Sequence, residues 1–137
     1  GIDVLTAMTL TTELGDIKRF DHPSKITSYA GMDLREYSSG GKERRYQMSK
    51  MGNSHIRTTV IESCQSAYRI PVVSKRLKER RKKTDPALIE IADRCMKRLH
   101  KKSSRMIFAG KPINKIKAAC ARELLGFVWE SLNKVAA

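Results

Sequence analysis

Two stretches in the second half of the chain repeat apolar residues at the spacing of a helix. One is Leu88, Ile91, Ala92, Cys95, Met96 and Leu99. The other is Ile113, Ile116, Cys120, Leu124, Phe127, Val128 and Leu132. Recurrence every three to four residues puts these side chains on one side of a helix. A chain with two such stripes must bury them against each other or against further helices. Asp85-Pro86 is a start signal for the first, an N-cap followed by proline at the first helical position. Arg94, Lys97, Arg98 and Lys101 occupy its opposite face. Ser103 to Gly110 reads as a break, and Lys111-Pro112 opens the last helix. The apolar zone of that helix is widened by Ala118, Ala119, Ala121 and Trp129, so it is expected to be the most buried.

Shorter helices precede these. Asp3 is a plausible cap for a helix bearing Val4, Ala7, Met8 and Leu14, widened by Leu5 and Leu10, with Gly15 as its C-terminal stop. Pro23 opens a short helix through Ile26, Tyr29 and Ala30 that stops at Gly31. Gly52 with Asn53 or Ser54 announces a helix whose apolar face is Ile56, Val60, Ile61, Cys64, Ala67 and Tyr68, and which Pro71 ends. Residues 32–52 show no helical period and read as a loop or irregular hairpin. The expectation is therefore one small, mostly α domain with a long irregular central loop. Long loops in compact domains are usually functional or disordered.

Charge limits the partners. The 137 residues carry a net charge of +14, which points to a polyanion, nucleic acid first and anionic membrane a distant second. Lys75 to Lys83 holds seven cations and one acid in nine residues, a pattern typical of a solvated helix face or an arm. No apolar run reaches the length of a membrane span, and no signal peptide is visible. Cys64, Cys95 and Cys120 fit no zinc spacing and no disulfide framework. Each falls in an apolar helical pattern, as a small core residue would, in a cytoplasmic setting. His22, His55 and His100 are not spaced as metal ligands, and the acids near the centre, Asp33, Glu36 and Glu43, form no pair suited to two metal ions. No metal site is expected. Opening on Gly1 without Met suggests a piece of a longer protein.

The candidate chemistry lies in Tyr37-Ser38-Ser39-Gly40-Gly41-Lys42. Two hydroxyls stand beside two glycines, which let a bulky group approach the backbone, and Lys42, Arg44 and Arg45 supply charge for a phosphate. The plain alternative is a solvent-exposed turn. Gly-Gly-Lys is not a Walker motif, because Glu36 stands where that motif needs glycine. Lys50-Met51-Gly52-Asn53 precedes a helix start whose backbone N–H groups can hold an anion, and Arg57 lies one turn in; ordinary capping plus a surface arginine is an equal reading. Lys75, Arg76, Arg80 and Arg81 are further phosphate contacts in prospect. Tyr37 competes with the serines as nucleophile.

The order of these pieces resembles the C-terminal transposase domain of the IS110 family of insertion-sequence transposases, bridge-RNA-guided serine recombinases. The matching segments run from Leu5–Leu10, Glu13–Ile17 and Arg19-Phe20 through Tyr29-Ala30-Gly31, Glu36–Lys42, and Ser49–Asn53 on to Ile56-Arg57, to Gly110-Lys111-Pro112 and Ala121–Trp129. The resemblance implies Ser39 as nucleophile, with Ser38 less favoured, in DNA strand cleavage and exchange. It also implies an N-terminal RuvC-like domain, upstream of residues 1–137, that brings four acids and magnesium; this domain itself needs no cofactor and alone would be inactive. DNA, a guide RNA and further copies of the protein are the implied partners, in a prokaryotic cytoplasm. Gly1-Ile2-Asp3 is similar to the end of a helix-hairpin-helix turn, but with Asp3 where such turns carry glycine, which favours plain capping. A non-catalytic basic DNA- or RNA-binding module is the alternative.

Overall fold

The computed structural model describes residues 2–39 and 42–137, with backbone alone for 35–39 and 42–47. Six helices and one strand pair follow in the order α1 (Val4–Leu14), α2 (Pro23–Tyr29), β1 (Leu34–Ser39), β2 (Lys42–Met48), α3 (Ser54–Ser63), α4 (Lys75–Arg81), α5 (Pro86–Phe108) and α6 (Ile113–Ala136). A single 3-10 turn, Ile17–Arg19, links α1 to α2.

The last helix is the hub. Ile116, Cys120, Ala121, Leu124, Leu125 and Val128 of α6 are buried, more residues than any other helix contributes. They meet Cys95 and Leu99 of α5, Ile26 of α2 and Ile56 and Val60 of α3 in one core. Trp129 adds a directed tie, its indole N–H donating to the Phe20 carbonyl at 2.7 Å. A buried indole needs such a partner, and this one fixes the 3-10 turn against α6.

The caps behave as the residue types dictate. Asp3 accepts from the Thr6 N–H at 2.8 Å, Asp85 from the Ala87 N–H at 2.8 Å and Asn53 from the Ile56 N–H at 3.0 Å. These side chains satisfy amides that the first helical turn leaves over. The α2 helix ends in a Schellman arrangement. Gly31, at φ 65°, donates to the Ser28 carbonyl, and Met32 donates to Thr27. The α5 helix ends identically, with Gly110 at φ 64° and bonds from Gly110 to Ile107 and from Lys111 to Met106.

Three expectations need correction. Ser103 is not a break: it is buried, and its hydroxyl donates to the His100 carbonyl three residues back, so α5 runs on to Phe108. The α3 helix ends at Ser63, well short of Pro71, because residues 64–69 tighten into turns with bonds to the third residue back. The α1 stripe is only half used. Leu10 and Leu14 are buried, whereas Val4, Leu5 and Met8 are 64%, 72% and 61% exposed.

The central segment is an antiparallel pair with an irregularity between Leu34 and Glu36. Its base is fastened at both strands. The Ser49 hydroxyl donates to the Asp33 carboxylate at 2.5 Å, and the Ser49 and Lys50 N–H groups donate to the Asp33 and Gly31 carbonyls. Beneath it, the backbones of Gly31 and Gly52 cross. A Cβ on Gly52 would stand 2.4 Å from the Tyr29 carbonyl oxygen and 2.5 Å from the Gly31 nitrogen. No side chain fits there, and both neighbours are backbone, so neither can swing aside.

Gly52→Ala is therefore expected to cost about 3 kcal/mol, read as a lowered thermal midpoint by circular dichroism. Gly126, inside α6 with nothing within 4 Å of its would-be Cβ, is the control. There alanine should be neutral or stabilise by up to about 1 kcal/mol through helix propensity.

Candidate functional site

The site suggested by the sequence has a fixed base and a remote tip. Asn53 holds the base from two directions: its oxygen caps α3 and its amide donates to the Glu13 carboxylate at 2.6 Å. The Asn53 N–H donates to the Tyr29 carbonyl at 2.8 Å. Arg57 reaches back from α3, with Nη1 donating to the Ala30 carbonyl at 2.9 Å. Arg19 lies 4.6 Å from the ring centres of both Phe20 and Tyr29, a cation between two aromatic faces. Several groups that the sequence offers to a phosphate thus have structural duties. Both ends of the Asn53 carboxamide are engaged, and two amides at the α3 start, those of Asn53 and Ile56, donate within the chain. Lys50 is exposed, with a left-handed backbone at φ 54°.

From this base the ladder runs outward. Ser39 pairs with Lys42, Ser38 with Glu43, Tyr37 with Arg44 and Glu36 with Arg45. Five residue steps from Leu34 to Ser39 at about 3.4 Å each span roughly 17 Å. The turn residues Gly40 and Gly41, and the side chains of Tyr37, Ser38, Ser39, Lys42, Arg44 and Arg45, lie outside the described residues.

The basic run of 75–83 forms α4, capped by Ser74. Lys75, Arg76 and Arg80 are exposed, but Arg81 turns inward and forks onto Asp93 of α5 at 2.5 and 3.3 Å. The cationic face read for α5 divides in the same way. Arg94 pairs with Glu130. Arg98 donates to Glu123 at 2.8 and 3.2 Å, and Lys102 donates to the same carboxylate at 2.6 Å. These cations lock α5 to α6, while Lys97 and Lys101 stay exposed. Burial pushes the Glu123 carboxyl up, but the hydrogen bonds and charges of Arg98 and Lys102 outweigh it and hold the group below its ordinary range.

The three thiols are not nucleophiles. All are buried and unpaired, and burial pushes Cys64 and Cys95 up to about 12. Among the described residues no group of three His, Cys, Asp or Glu side chains could hold a metal ion, and no helix is long and apolar enough to cross a membrane. A cleft of about 690 Å³ opens among α1, α4, α5, α6 and the segment after α3, lined by Leu10, Pro71, Leu77, Met96 and Phe127 among others. Among the described residues no carboxylate and no residue of the hairpin lines it.

Residues 1–81 match the model of the IS116/IS110/IS902 transposase family. The chain belongs to this family. The y4qE transposase sequence of Sinorhizobium fredii is 35% identical over 130 residues, covering 94% of this chain and 33% of that protein. The transposase for insertion sequence element IS1111A of Coxiella burnetii is 33% identical over 69 residues, 50% of this chain and 19% of its own. That for IS1328 of Yersinia enterocolitica is 35% identical over 81 residues, 58% of this chain and 24% of its own. The chain thus spans a third or less of the length of these relatives. No solved structure matches it.

Sequence reasoning missed the clamps. Glu123 and Glu130 sit on a helix whose apolar zone attracts attention, and nothing in one chain marks which arginine they meet. Glu123→Gln should lower stability at neutral pH by about 1 kcal/mol at most, since Arg98 is largely exposed. The folded carboxyl is depressed, so its stabilisation is present above the unfolded value near 4.5 and is lost as pH falls through the lower folded value. The thermal midpoint of Glu123→Gln should accordingly fall less steeply than wild type as pH drops from about 4.5 toward the lower folded value.

Proposed function

We propose that this chain is the part of an insertion-sequence transposase that supplies a serine nucleophile, Ser39, for DNA strand cleavage and exchange. The ladder register supports Ser39 over Ser38 most directly. Residues alternate faces along a strand, so Ser39 and Tyr37 share a face with Lys42 and Arg44. Ser38 shares the other with Glu36, Glu43 and Arg45. A phosphodiester is drawn to the face with two cations and no carboxylate.

In the reaction, the Ser39 Oγ–phosphorus bond forms as one phosphorus–deoxyribose oxygen bond breaks. The hydroxyl proton passes to a base, and the departing oxygen takes up a proton. The phosphoserine link conserves the phosphoester, so a second strand end can reseal the DNA without a nucleotide cofactor. Lys42 and Arg44, on the Ser39 face, would bear the charge that develops on the phosphoryl oxygens, each such contact lowering the barrier by about 3 kcal/mol, whereas Arg45, on the other face, would hold the strand outside the reacting phosphate. Serine is a weak nucleophile without a base or metal. Asp33, the carboxylate at the hairpin base, is bonded to Ser49. The base and a magnesium site would therefore come from an acidic, RuvC-like part of the complete protein. The guide RNA and further copies belong to the same proposal. Lys50, Lys75, Arg76 and Arg80 would add phosphate contacts beyond the hairpin, whereas Asn53, Arg57 and Arg81 would act chiefly through the fold.

Ser39→Ala, made in the complete transposase, should abolish both recombination and the covalent DNA adduct, while Ser38→Ala keeps them. An adduct that survives Ser39→Ala and yields phosphotyrosine would move the role to Tyr37. If Ser39→Ala recombines normally while Arg44→Ala weakens DNA binding, the hairpin is a phosphate grip and the chain a binding module.

A further inference from the structure

Phe108, the last residue of α5, is 96% exposed. The chain turns at Gly110, two residues on. Ile107 and Ile113, on either side of the turn, are 47% and 48% exposed. The charge carried by this stretch of sequence is all of one sign. Between Asp93 and Glu123 the sequence holds ten lysines and arginines and no acid. Arg94, Arg98 and Lys102 answer Glu123 and Glu130, and the others have no such duty to α6 among these ion pairs.

Lys97, Lys101, Arg105 and Phe108 follow one another at four- and three-residue spacing, and all are exposed. Residues so spaced form one stripe along a helix, each step of four advancing roughly 6 Å. Lys111 and Lys115, also exposed, continue the positive charge past the turn. We infer that the tip of the α5–α6 hairpin is a stacking site for an unpaired base, with the lysine–arginine stripe of α5 holding the phosphates of the same strand. Cations that track a backbone, ending in an exposed aromatic face, are what single-stranded nucleic acid requires. A protein partner would have to bury these cations without carboxylates from this surface to answer them. The inference shares with the proposed function only the choice of nucleic acid as ligand, and its test reads binding rather than cleavage.

The test is fluorescence anisotropy at fixed salt with a labelled oligothymidylate of about 20 nucleotides and a duplex of equal length. Phe108→Ala should weaken oligothymidylate binding between about fivefold and about a hundredfold and leave duplex binding little changed. Phe108→Trp should retain wild-type affinity. Arg105→Ala should weaken both ligands and reduce the salt slope by about 1. Unaltered oligothymidylate binding by Phe108→Ala would overturn the inference. So would full affinity in Phe108→Leu, which keeps apolar bulk without a ring, or an equal loss on single strand and duplex. A dimer that Phe108→Ala dissolves would assign the surface to a second copy instead. Phe108 lies outside the core, so an unchanged helical circular dichroism spectrum is expected of each variant and separates binding from folding.

Discussion

The crossing of Gly31 and Gly52 sets the position of everything at the hairpin end of the molecule. Two backbones can approach this closely only where both residues lack a Cβ, and each glycine removes a different clash. Around the crossing, short-range bonds converge from four elements. Asn53 ties α3 to Glu13 of α1, Arg57 ties α3 to the end of α2, and Lys50 and Ser49 tie β2 to Gly31 and Asp33. The base of the hairpin is thus held by the close approach of two glycine backbones, by these bonds and by Met48, which packs against the core.

The charge distribution follows a second constraint. A chain with twice as many cations as acids can use its carboxylates to hold the body together or to build a metal site. Those described are largely committed to the first. Asp93 meets Arg81, Glu123 meets Arg98 and Lys102, and Glu130 meets Arg94; Glu13 and Asp33 hold the hairpin end. These pairs are partly exposed, so each contributes modestly. Their larger effect is geometric, turning some arginines inward and leaving Lys97, Lys101 and Arg105 to face solvent as one stripe.

Much of the fold was legible because helix signals are local. Asp3, Asp85, Pro23, Gly31 and the 3.6-residue periods each act through near neighbours, and the expectations built on them agree with the structure. Errors arose where a residue type has two local outcomes. Ser103 can break a helix or bond back into it, and buried as it is, its hydroxyl does the second. The Val4, Leu5 and Met8 stripe reads as core by type, yet none of the described residues covers it. The site was harder to read because long-range partners decide it. Gly52 looks like an opening for an anion and acts as a steric necessity; Asn53 and Arg57 look like ligand groups and serve as struts. The register that sets Ser39 opposite Lys42 and Ser38 opposite Glu43 is likewise a long-range pairing that composition does not carry.

Ser39 stands roughly 17 Å along the ladder from its anchorage, and as the proposed nucleophile it would need its reaction partners brought to it. The described carboxylates nearest the hairpin lie at its base, and the thiols are buried and protonated. In the proposed reaction Ser39 has Lys42 and Arg44 in register on one side, and its base would come from beyond residues 1–137. Charge stabilisation would then come from the ladder and deprotonation from the partner part, so strand cleavage would depend on the two being assembled on the same DNA.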